Sequence, residues 1–312
     1  MEEIKNRLKS MLNNGKIDGV LGFVEQRYPL KNYPVFARTE KDIDKITNSL
    51  FSILNIATYI RRIKNYKKIA VFVRGCEERA INLLCAEHQI ERDKLFLIGF
   101  PCEGVVDLNF LKKEYGRDIE GIERRDRTLV IKGKRGEFEI SLDQVISVVC
   151  KNCIRRDTPT VDLSIQEDEN REETPDFSFL KDIEEKTYKD RWQFFKEQFE
   201  KCTRCYACRE VCPMCYCESC FVDSNDPVWV EPGYSVEDIV SFHLIKIFHM
   251  AGRCVNCGAC ERSCSEGIRL SYLTSKITKD LIEDYDYISG ETPEQKPMFG
   301  EYKIDDKGDF IL

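Results

Sequence analysis

The first half of the chain alternates short apolar runs with stretches in which apolar residues recur at helical spacing. Short apolar runs between turn residues are typical of buried strands, whereas recurrence every three to four residues is typical of amphipathic helices. Because strands and helices alternate, the pattern predicts an N-terminal α/β layer domain with a mostly parallel sheet. The predicted helices cover residues 1–14, 41–64 and 77–90, the predicted strands residues 20–24, 68–73, 95–98 and 145–149, and an inserted hairpin residues 128–131 and 137–140.

The second half of the chain has a helical pattern. Residues 178–200 are rich in aromatic side chains, and Ser235 with Asp238 forms a capping box for a helix that ends near Gly252. Between the halves, residues 166–176 carry six acids and one arginine, which predicts a solvated linker. We therefore divide the chain into an α/β domain (1–165), an acidic linker (166–177), a largely α-helical ferredoxin-like domain (178–285) and a polar, loosely ordered tail (286–312).

The composition narrows the class of protein. The chain has 312 residues, a formal net charge of −7 and sixteen cysteines. The negative charge argues against a nucleic-acid partner, and no apolar run is long enough to span a membrane. Because the chain opens on an amphipathic helical pattern rather than a signal peptide, we expect a cytoplasmic protein whose cysteines serve as metal-binding thiolates.

Eight cysteines form two runs with the same spacing, three at intervals of three and a fourth four residues later. This is the spacing of a two-cluster ferredoxin, in which the fourth cysteine of each run ligates the cluster of the other run. Structural zinc is the alternative, but zinc sites pair Cys-x-x-Cys knuckles and do not require this doubled pattern. We expect one 4Fe-4S cluster on Cys202, Cys205, Cys208 and Cys264, and a second on Cys254, Cys257, Cys260 and Cys212.

Four further cysteines predict a third 4Fe-4S site in the N-terminal half. Cys76, Cys102 and Cys150 follow the ends of predicted strands, and Cys153 comes one turn later. Sites gather at the carboxyl ends of strands in open α/β sheets, so these thiols are expected to meet at one edge. The alternative is that they are small buried hydrophobic residues, which is the interpretation we prefer for Cys85.

Two other groups of residues allow more than one interpretation. Cys215, Cys217 and Cys220 fit neither ferredoxin cluster; they predict a zinc site or a further iron–sulfur site, or they serve as alternative ligands. His243, Lys246 and His249 recur at a spacing of three on one predicted helix, which is typical of a solvated or interfacial face. The sharper hypothesis is that these cations, with Arg253, tune the second cluster or dock an acidic partner.

Six short segments of the N-terminal half occur in the order NGKIDGV (14–20), PVFART (34–39), GC (75–76), IGFPC (98–102), CKNC (150–153) and VDLSI (161–165). Their order and spacing resemble the beta subunit of coenzyme F420-reducing hydrogenases and dehydrogenases over roughly residues 12–166. The C-terminal segment Cys-Tyr-Ala-Cys-Arg-Glu-Val-Cys-Pro resembles the variant found as a beta subunit of formate dehydrogenases and in heterodisulfide-reductase-linked complexes.

The resemblance implies that Cys76, Cys102, Cys150 and Cys153 bind a 4Fe-4S cluster beside a flavin that exchanges a hydride with the deazaflavin. The Gly-Gly segment that usually stands near the start of sequences in this family is absent, and no Gly-x-Gly-x-x-Gly follows a predicted strand. If a flavin binds, Arg74, Gly75 and the start of the helix after Cys76 are the candidates for contacting its phosphates.

These observations predict an iron–sulfur electron-transfer subunit of an anaerobic oxidoreductase complex. The expected partners are the catalytic subunit of a formate dehydrogenase or hydrogenase and a heterodisulfide-reductase-like subunit. One alternative is a flavin-dependent coenzyme F420 oxidoreductase. A zinc-binding assembly protein is a third class, against which the doubled cysteine motif argues.

Overall fold

A computed structural model describes residues 1–25, 32–116, 119–134, 136–165, 175–233 and 235–300. The strands of the larger sheet are β1 (Val20–Val24), β2 (Tyr33–Ala37), β3 (Ile46–Thr47), β4 (Ile69–Val73), β5 (Leu95–Gly99) and β9 (Leu163–Ser164). Their order in the sheet is β2-β1-β4-β5-β9, with β3 also paired to β1. Strands β1, β4, β5 and β9 run parallel, whereas β2 and β3 run antiparallel to β1.

The predicted hairpin belongs to a second sheet of three antiparallel strands, β6 (Ile119–Arg125), β7 (Thr128–Gly133) and β8 (Gly136–Ser141). The first of these strands, β6, was not predicted from the sequence. The helices are α1 (Glu2–Asn13), α2 (Glu40–Asp44), α3 (Ala57–Ile60), α4 (Gly75–Ala86), α5 (Leu108–Tyr115), α6 (Leu142–Val145), α7 (Val148–Lys151), α8 (Lys181–Glu184), α9 (Tyr188–Phe199), α10 (Ala207–Glu210), α11 (Val236–Met250), α12 (Ala259–Arg262) and α13 (Ser271–Tyr285). Short 3-10 turns lie at Arg92–Lys94, Ser178–Leu180, Phe221–Asp223 and Met298–Gly300.

The predicted mixed α/β class with a helical C-terminal part is confirmed. All residues of β1 and β4 are buried, which is typical of parallel strands covered on both faces. The predicted helix before Gly252 is present as α11, and the hydroxyl of Ser235 accepts a hydrogen bond from the Asp238 backbone N–H at 3.1 Å. Within the described residues, no helix is both long and apolar enough to cross a bilayer.

Two predicted elements are wrong. Residues 145–149 form the end of α6 and the start of α7 rather than a strand, because the Ser141 hydroxyl caps α6 and Val145 and Val149 are buried one turn apart. The expected helix over residues 41–64 is replaced by α2, β3 and α3. The apolar residues of this segment are buried as expected. The β-branched residues Ile46 and Thr47 of β3, however, join the sheet beside β1 instead of continuing a helix.

The C-terminal segment packs directly on the N-terminal layer. Met214, Met250 and Val255 belong to the same apolar core as β4 and β5. The buried guanidinium of Arg262 donates to the Ile53 carbonyl at 3.0 Å, and Arg253 pairs with Glu87 at 2.6 Å. The predicted acidic linker lies mostly outside the described residues, so the proposed division at 166–177 stays a prediction.

The prediction of a loosely ordered tail is wrong for residues 288–295. Ser289 is 3% exposed, and its carbonyl accepts from the buried Arg79 guanidinium at 3.3 Å. The amide of Asn82 donates to the Gly290 carbonyl at 3.0 Å. Both partners lie on α4, so this part of the tail is fixed to the helix that begins the candidate N-terminal site. Residues 301–312 lie outside the described residues.

Gly290→Ala is expected to be strongly destabilising because Gly290 has a φ of +80° and an added Cβ would lie 2.1 Å from the Arg79 carbonyl oxygen. We expect a loss of about 3 kcal/mol in the free energy of unfolding, measured by urea titration. Gly15→Ala is the control, because Gly15 has a φ of +64° with no atom within 4 Å of the added Cβ. Its expected cost is about 1 kcal/mol, and equal losses would contradict the packing described for the tail.

Candidate metal centres

The two cysteine runs have the same backbone conformation. Arg204 and Asn256, at equivalent positions, have φ values of 53° and 52°. Tyr206 and Gly258, two residues further on, have φ values of 56° and 69°, and each begins a one-turn helix, α10 or α12. In both runs the N–H of the residue two after the first cysteine donates to its sulfur at 3.4 Å. Four left-handed residues in matching places show that the repeated spacing folds as a repeated loop.

The first run closes around a cavity together with the last cysteine of the second run. This pocket is also bordered by Phe242 and His243 of α11. Cys208 and Cys264 are buried, whereas Cys205 is exposed to solvent. Burial raises the pKa of the Cys208 thiol to about 11. The cysteines that line the pocket are Cys202, Cys205, Cys208 and Cys264.

The second run lies deeper in the molecule and meets the last cysteine of the first run. Burial raises the pKa of Cys254 to about 12, and the neighbouring sulfurs of Cys257 and Cys212 act in the same direction. Burial also raises the pKa of Cys260, and Cys212, Cys257 and Cys254 are again its sulfur neighbours. Cys212 contacts the Met250 sulfur at 3.7 Å. The structure therefore brings Cys212 beside Cys254, Cys257 and Cys260.

The four N-terminal cysteines line one further cavity. Cys76 lies in the first turn of α4, Cys102 follows β5, Cys150 lies on α7, and Cys153 comes just after it. Cys150 thus reaches the cavity from a helix and not from a strand end. Burial raises the pKa of Cys153 to about 11 and also raises that of Cys102.

Arginines surround this N-terminal cavity, and most of them were not predicted from the sequence. Arg156 donates to the carbonyls of Cys102 and Cys150 at 3.0 and 2.6 Å, so it links the segment after β5 to α7. Arg155 pairs with the buried Glu78 at 2.8 Å. The sequence signal for them is the Arg155–Arg156 pair, which begins two residues after Cys153. The cavity is also lined by Arg74, Arg262, Asn256 and Cys257.

Cys215, Cys217 and Cys220 do not converge on one point. Cys215 forms a side-chain hydrogen bond with Cys212, which lowers the pKa of Cys212 and raises that of Cys215. Cys217 is exposed, and Cys220 accepts a hydrogen bond from Arg209. In the described part of the chain, no three His, Cys, Asp or Glu side chains gather closely enough to hold a single metal ion. The thiolates around a four-iron cluster are spread more widely than those around one ion.

The interpretation of His243 and Lys246 as a solvated face is wrong. His243 is 1% exposed and Lys246 is 5% exposed, whereas His249 is exposed. Burial lowers the pKa of Lys246, but the sulfurs of Cys212, Cys260, Cys215 and Cys208 outweigh this and raise it. Lys246 is therefore a buried cation between the two ferredoxin-like cysteine groups. Burial and Lys246 lower the pKa of His243 to about 3, so its ring is neutral.

A third cavity adjoins the N-terminal cysteines. Its volume is about 400 Å³, and it shares Arg74, Cys102 and Gly104 with the cysteine-lined cavity. Gly75 at the start of α4 is packed closely against the backbone after Cys153, because an added Cβ would lie 2.5 Å from the Arg155 carbonyl oxygen. Arg74 is also engaged, since its guanidinium donates to the Glu77 carboxylate and to two backbone carbonyls.

The family model for the N-terminal part of the coenzyme F420 hydrogenase/dehydrogenase beta subunit matches residues 6–61. The F420-dependent formate dehydrogenase subunit beta of Methanocaldococcus jannaschii is 22% identical over 350 residues, covering 93% of this chain and 92% of that protein. The F420-dependent formate dehydrogenase 1 subunit beta of Methanococcus maripaludis is 25% identical over 357 residues, covering 94% of this chain and 91% of that protein.

A solved chain of the F420-reducing NiFe hydrogenase complex from Methanosarcina barkeri aligns with a TM-score of 0.40 and 19% identity. The alignment covers 51% of this chain and 61% of that one, less than two thirds of its length. The family model and the relatives that match most of the chain confirm the resemblance drawn from the sequence.

Proposed function

We propose that this chain, as a relative of coenzyme F420 hydrogenase and dehydrogenase beta subunits, is an iron–sulfur electron-transfer subunit with three 4Fe-4S sites. The observation that carries the proposal is the repeated cysteine loop, in which left-handed residues recur at matched places and the three leading cysteines of the first run line one pocket with Cys264. The proposed ligand sets are Cys202, Cys205, Cys208 and Cys264; Cys254, Cys257, Cys260 and Cys212; and Cys76, Cys102, Cys150 and Cys153.

The three sites are proposed to act as a row. Cys257 borders the cavity of the N-terminal cysteines, and it lies beside Cys76. Lys246 neighbours Cys260 of the second group and Cys208 of the first group. These shared neighbours support the order N-terminal site, second run, first run. The first run contains the exposed Cys205, so this end is the proposed point of electron exchange with a partner.

The residues around the sites have a common electrostatic role. A bound cluster supplies a one-electron carrier whose thiolate ligands bring negative charge into the protein. Lys246 and Arg79 are buried cations. Burial lowers the pKa of Arg79, and the sulfurs of Cys153, Cys76 and Cys254 beside it oppose this effect only in part. These side chains offset the thiolate charge in places where water does not reach it. Buried cations beside the thiols support cluster sites rather than a plain hydrophobic core.

The relatives are named as subunits of F420-dependent formate dehydrogenases. We propose that the partner here is likewise the catalytic subunit of a formate dehydrogenase or hydrogenase. A heterodisulfide-reductase-like subunit is the second proposed partner.

The cavity beside Cys102 favours a second candidate function, a flavin-dependent coenzyme F420 oxidoreductase. Its volume of about 400 Å³ lies within the usual range for ligand sites. Asn48, Ser49 and Arg124 supply polar groups at its wall. A flavin held there would lie next to the N-terminal cysteines and would supply hydride chemistry. Because the Arg74 guanidinium is already bonded to Glu77 and to two backbone carbonyls, we propose that these wall residues hold the flavin instead of Arg74 and Gly75.

Iron, zinc and flavin content of anaerobically purified protein, with its visible spectrum, tests both candidates. The electron-transfer subunit is expected to contain about twelve irons per chain, four for each of three clusters. Stoichiometric flavin in addition would favour the F420 oxidoreductase. About eight irons would remove the N-terminal site from the proposal, and zinc in place of iron would contradict the proposal as a whole.

A further inference from the structure

His243 of α11 is buried against the pocket of the first cysteine run. Its Nε2 atom lies 3.4 Å from the Cys202 sulfur. The ring stacks on Phe199 with a centroid distance of 4.7 Å and an interplanar angle of 8°, and Phe242 contacts it at 4.9 Å. These two aromatic contacts hold the imidazole in one orientation, with a ring nitrogen aimed at a proposed iron ligand.

The direction of this hydrogen bond follows from the chemistry of the sulfur. A thiolate that ligates iron carries no proton and can only accept a hydrogen bond. Nε2 is therefore the protonated nitrogen, and Nδ1 has no hydrogen-bond partner among the described residues. A buried nitrogen without a partner is unfavourable for stability, so the orientation of His243 is explained better by its contact with Cys202 than by stability alone.

The geometry points to His243 as the residue that raises the reduction potential of the cluster site formed by Cys202, Cys205, Cys208 and Cys264. This inference rests on the proposed function. Reduction adds one electron, supplied by the neighbouring site of the row, and increases the negative charge on the sulfurs. A hydrogen bond donated to Cys202 stabilises the reduced form more than the oxidised form.

Position in the row gives this effect a consequence. The first run contains the exposed Cys205, and the second run has no exposed cysteine among its proposed ligands. A higher potential at the first run would draw electrons toward the surface, where a partner can collect them. His243 would thereby bias the direction of transfer without contacting any partner.

Redox titration of the anaerobically purified full chain, followed by electron paramagnetic resonance, tests the inference. His243→Phe keeps a stacked ring and removes the donor, so it is expected to lower one midpoint potential and leave the others unchanged. The expected shift corresponds to about a tenfold change in the ratio of reduced to oxidised sites, or about 59 mV for one electron. His243→Gln, which restores an N–H donor, is expected to recover part of the shift.

His249→Phe is the matched control, because His249 lies on the same helix but is exposed and, within the described residues, contacts the edge of the Phe221 ring rather than a cysteine sulfur. It is expected to change no potential. If His243→Phe loses iron, His243→Met and His243→Gln provide a pair of similar length that differs in the donor. Unchanged potentials in His243→Phe with full iron content would overturn the inference and leave the proposed function standing. A wild-type chain without iron would instead overturn the proposed function.

Discussion

Cys264→Ala is expected to remove the same cluster as Cys202→Ala, although Cys264 belongs to the other run. Cys264 lines the pocket of Cys202, Cys205 and Cys208. Each variant is expected to lose about four of about twelve irons. The two variants should also lose the same paramagnetic signal on reduction, because both remove ligands of one site.

Cys212→Ala and Cys254→Ala form the reciprocal pair, since Cys212 lies beside the three leading cysteines of the second run. They are expected to share the loss of a different signal. Cys217→Ala is the control, because Cys217 is exposed and lies outside all three proposed ligand sets. If Cys264→Ala and Cys254→Ala lost the same signal, each run would hold its own cluster and the crossed ligand sets would be wrong.

The part of the candidate sites that could be predicted is the part encoded locally. The spacing of Cys202, Cys205 and Cys208 fixes a loop of seven residues, and a repeat of the same spacing gives the same backbone. The strands β4 and β5 could be predicted for a similar reason, because a short apolar run is buried wherever the sheet is placed. Local pattern decides these elements, and tertiary contacts only position them.

Other features depend on contacts that no local pattern reveals. Residues 41–64 have a helical apolar period, but Phe23 and Val24 of β1 offer hydrogen bonds to Ile46 and Thr47, and the strand forms instead. Lys246 and His243 have the spacing of a polar stripe, which is ordinarily solvated. Their burial follows from the nearby cysteine groups, because thiols and a packed aromatic ring take the place of water.

Glu77→Ala is expected to be among the most destabilising single changes in the N-terminal layer. Glu77 is fully buried and accepts from the backbone N–H groups of Arg74 and Ile56 at 2.9 Å. It also pairs with the buried Arg74 guanidinium at 2.6 Å. Burial lowers the pKa of Arg74, but the charge of Glu77 and its hydrogen bond outweigh this effect, so the pKa is raised. Removing the carboxylate leaves a buried cation without its counterion, which costs about 3–5 kcal/mol.

Urea unfolding of anaerobically prepared protein measures this loss. Glu91→Ala is the control, because Glu91 and Lys94 form an exposed ion pair at 2.6 Å with the same spacing of three residues. Exposed pairs contribute about 0.2–1 kcal/mol, so this variant should unfold almost as the wild type does. A double variant, Arg74→Met with Glu77→Leu, removes both charges and is expected to be more stable than Glu77→Ala alone. If the double variant were the less stable of the two, the loss would come from the four hydrogen bonds to carbonyls and N–H groups rather than from an unpaired charge. Arg74 would then be needed to hold the loop before α3 against the start of α4.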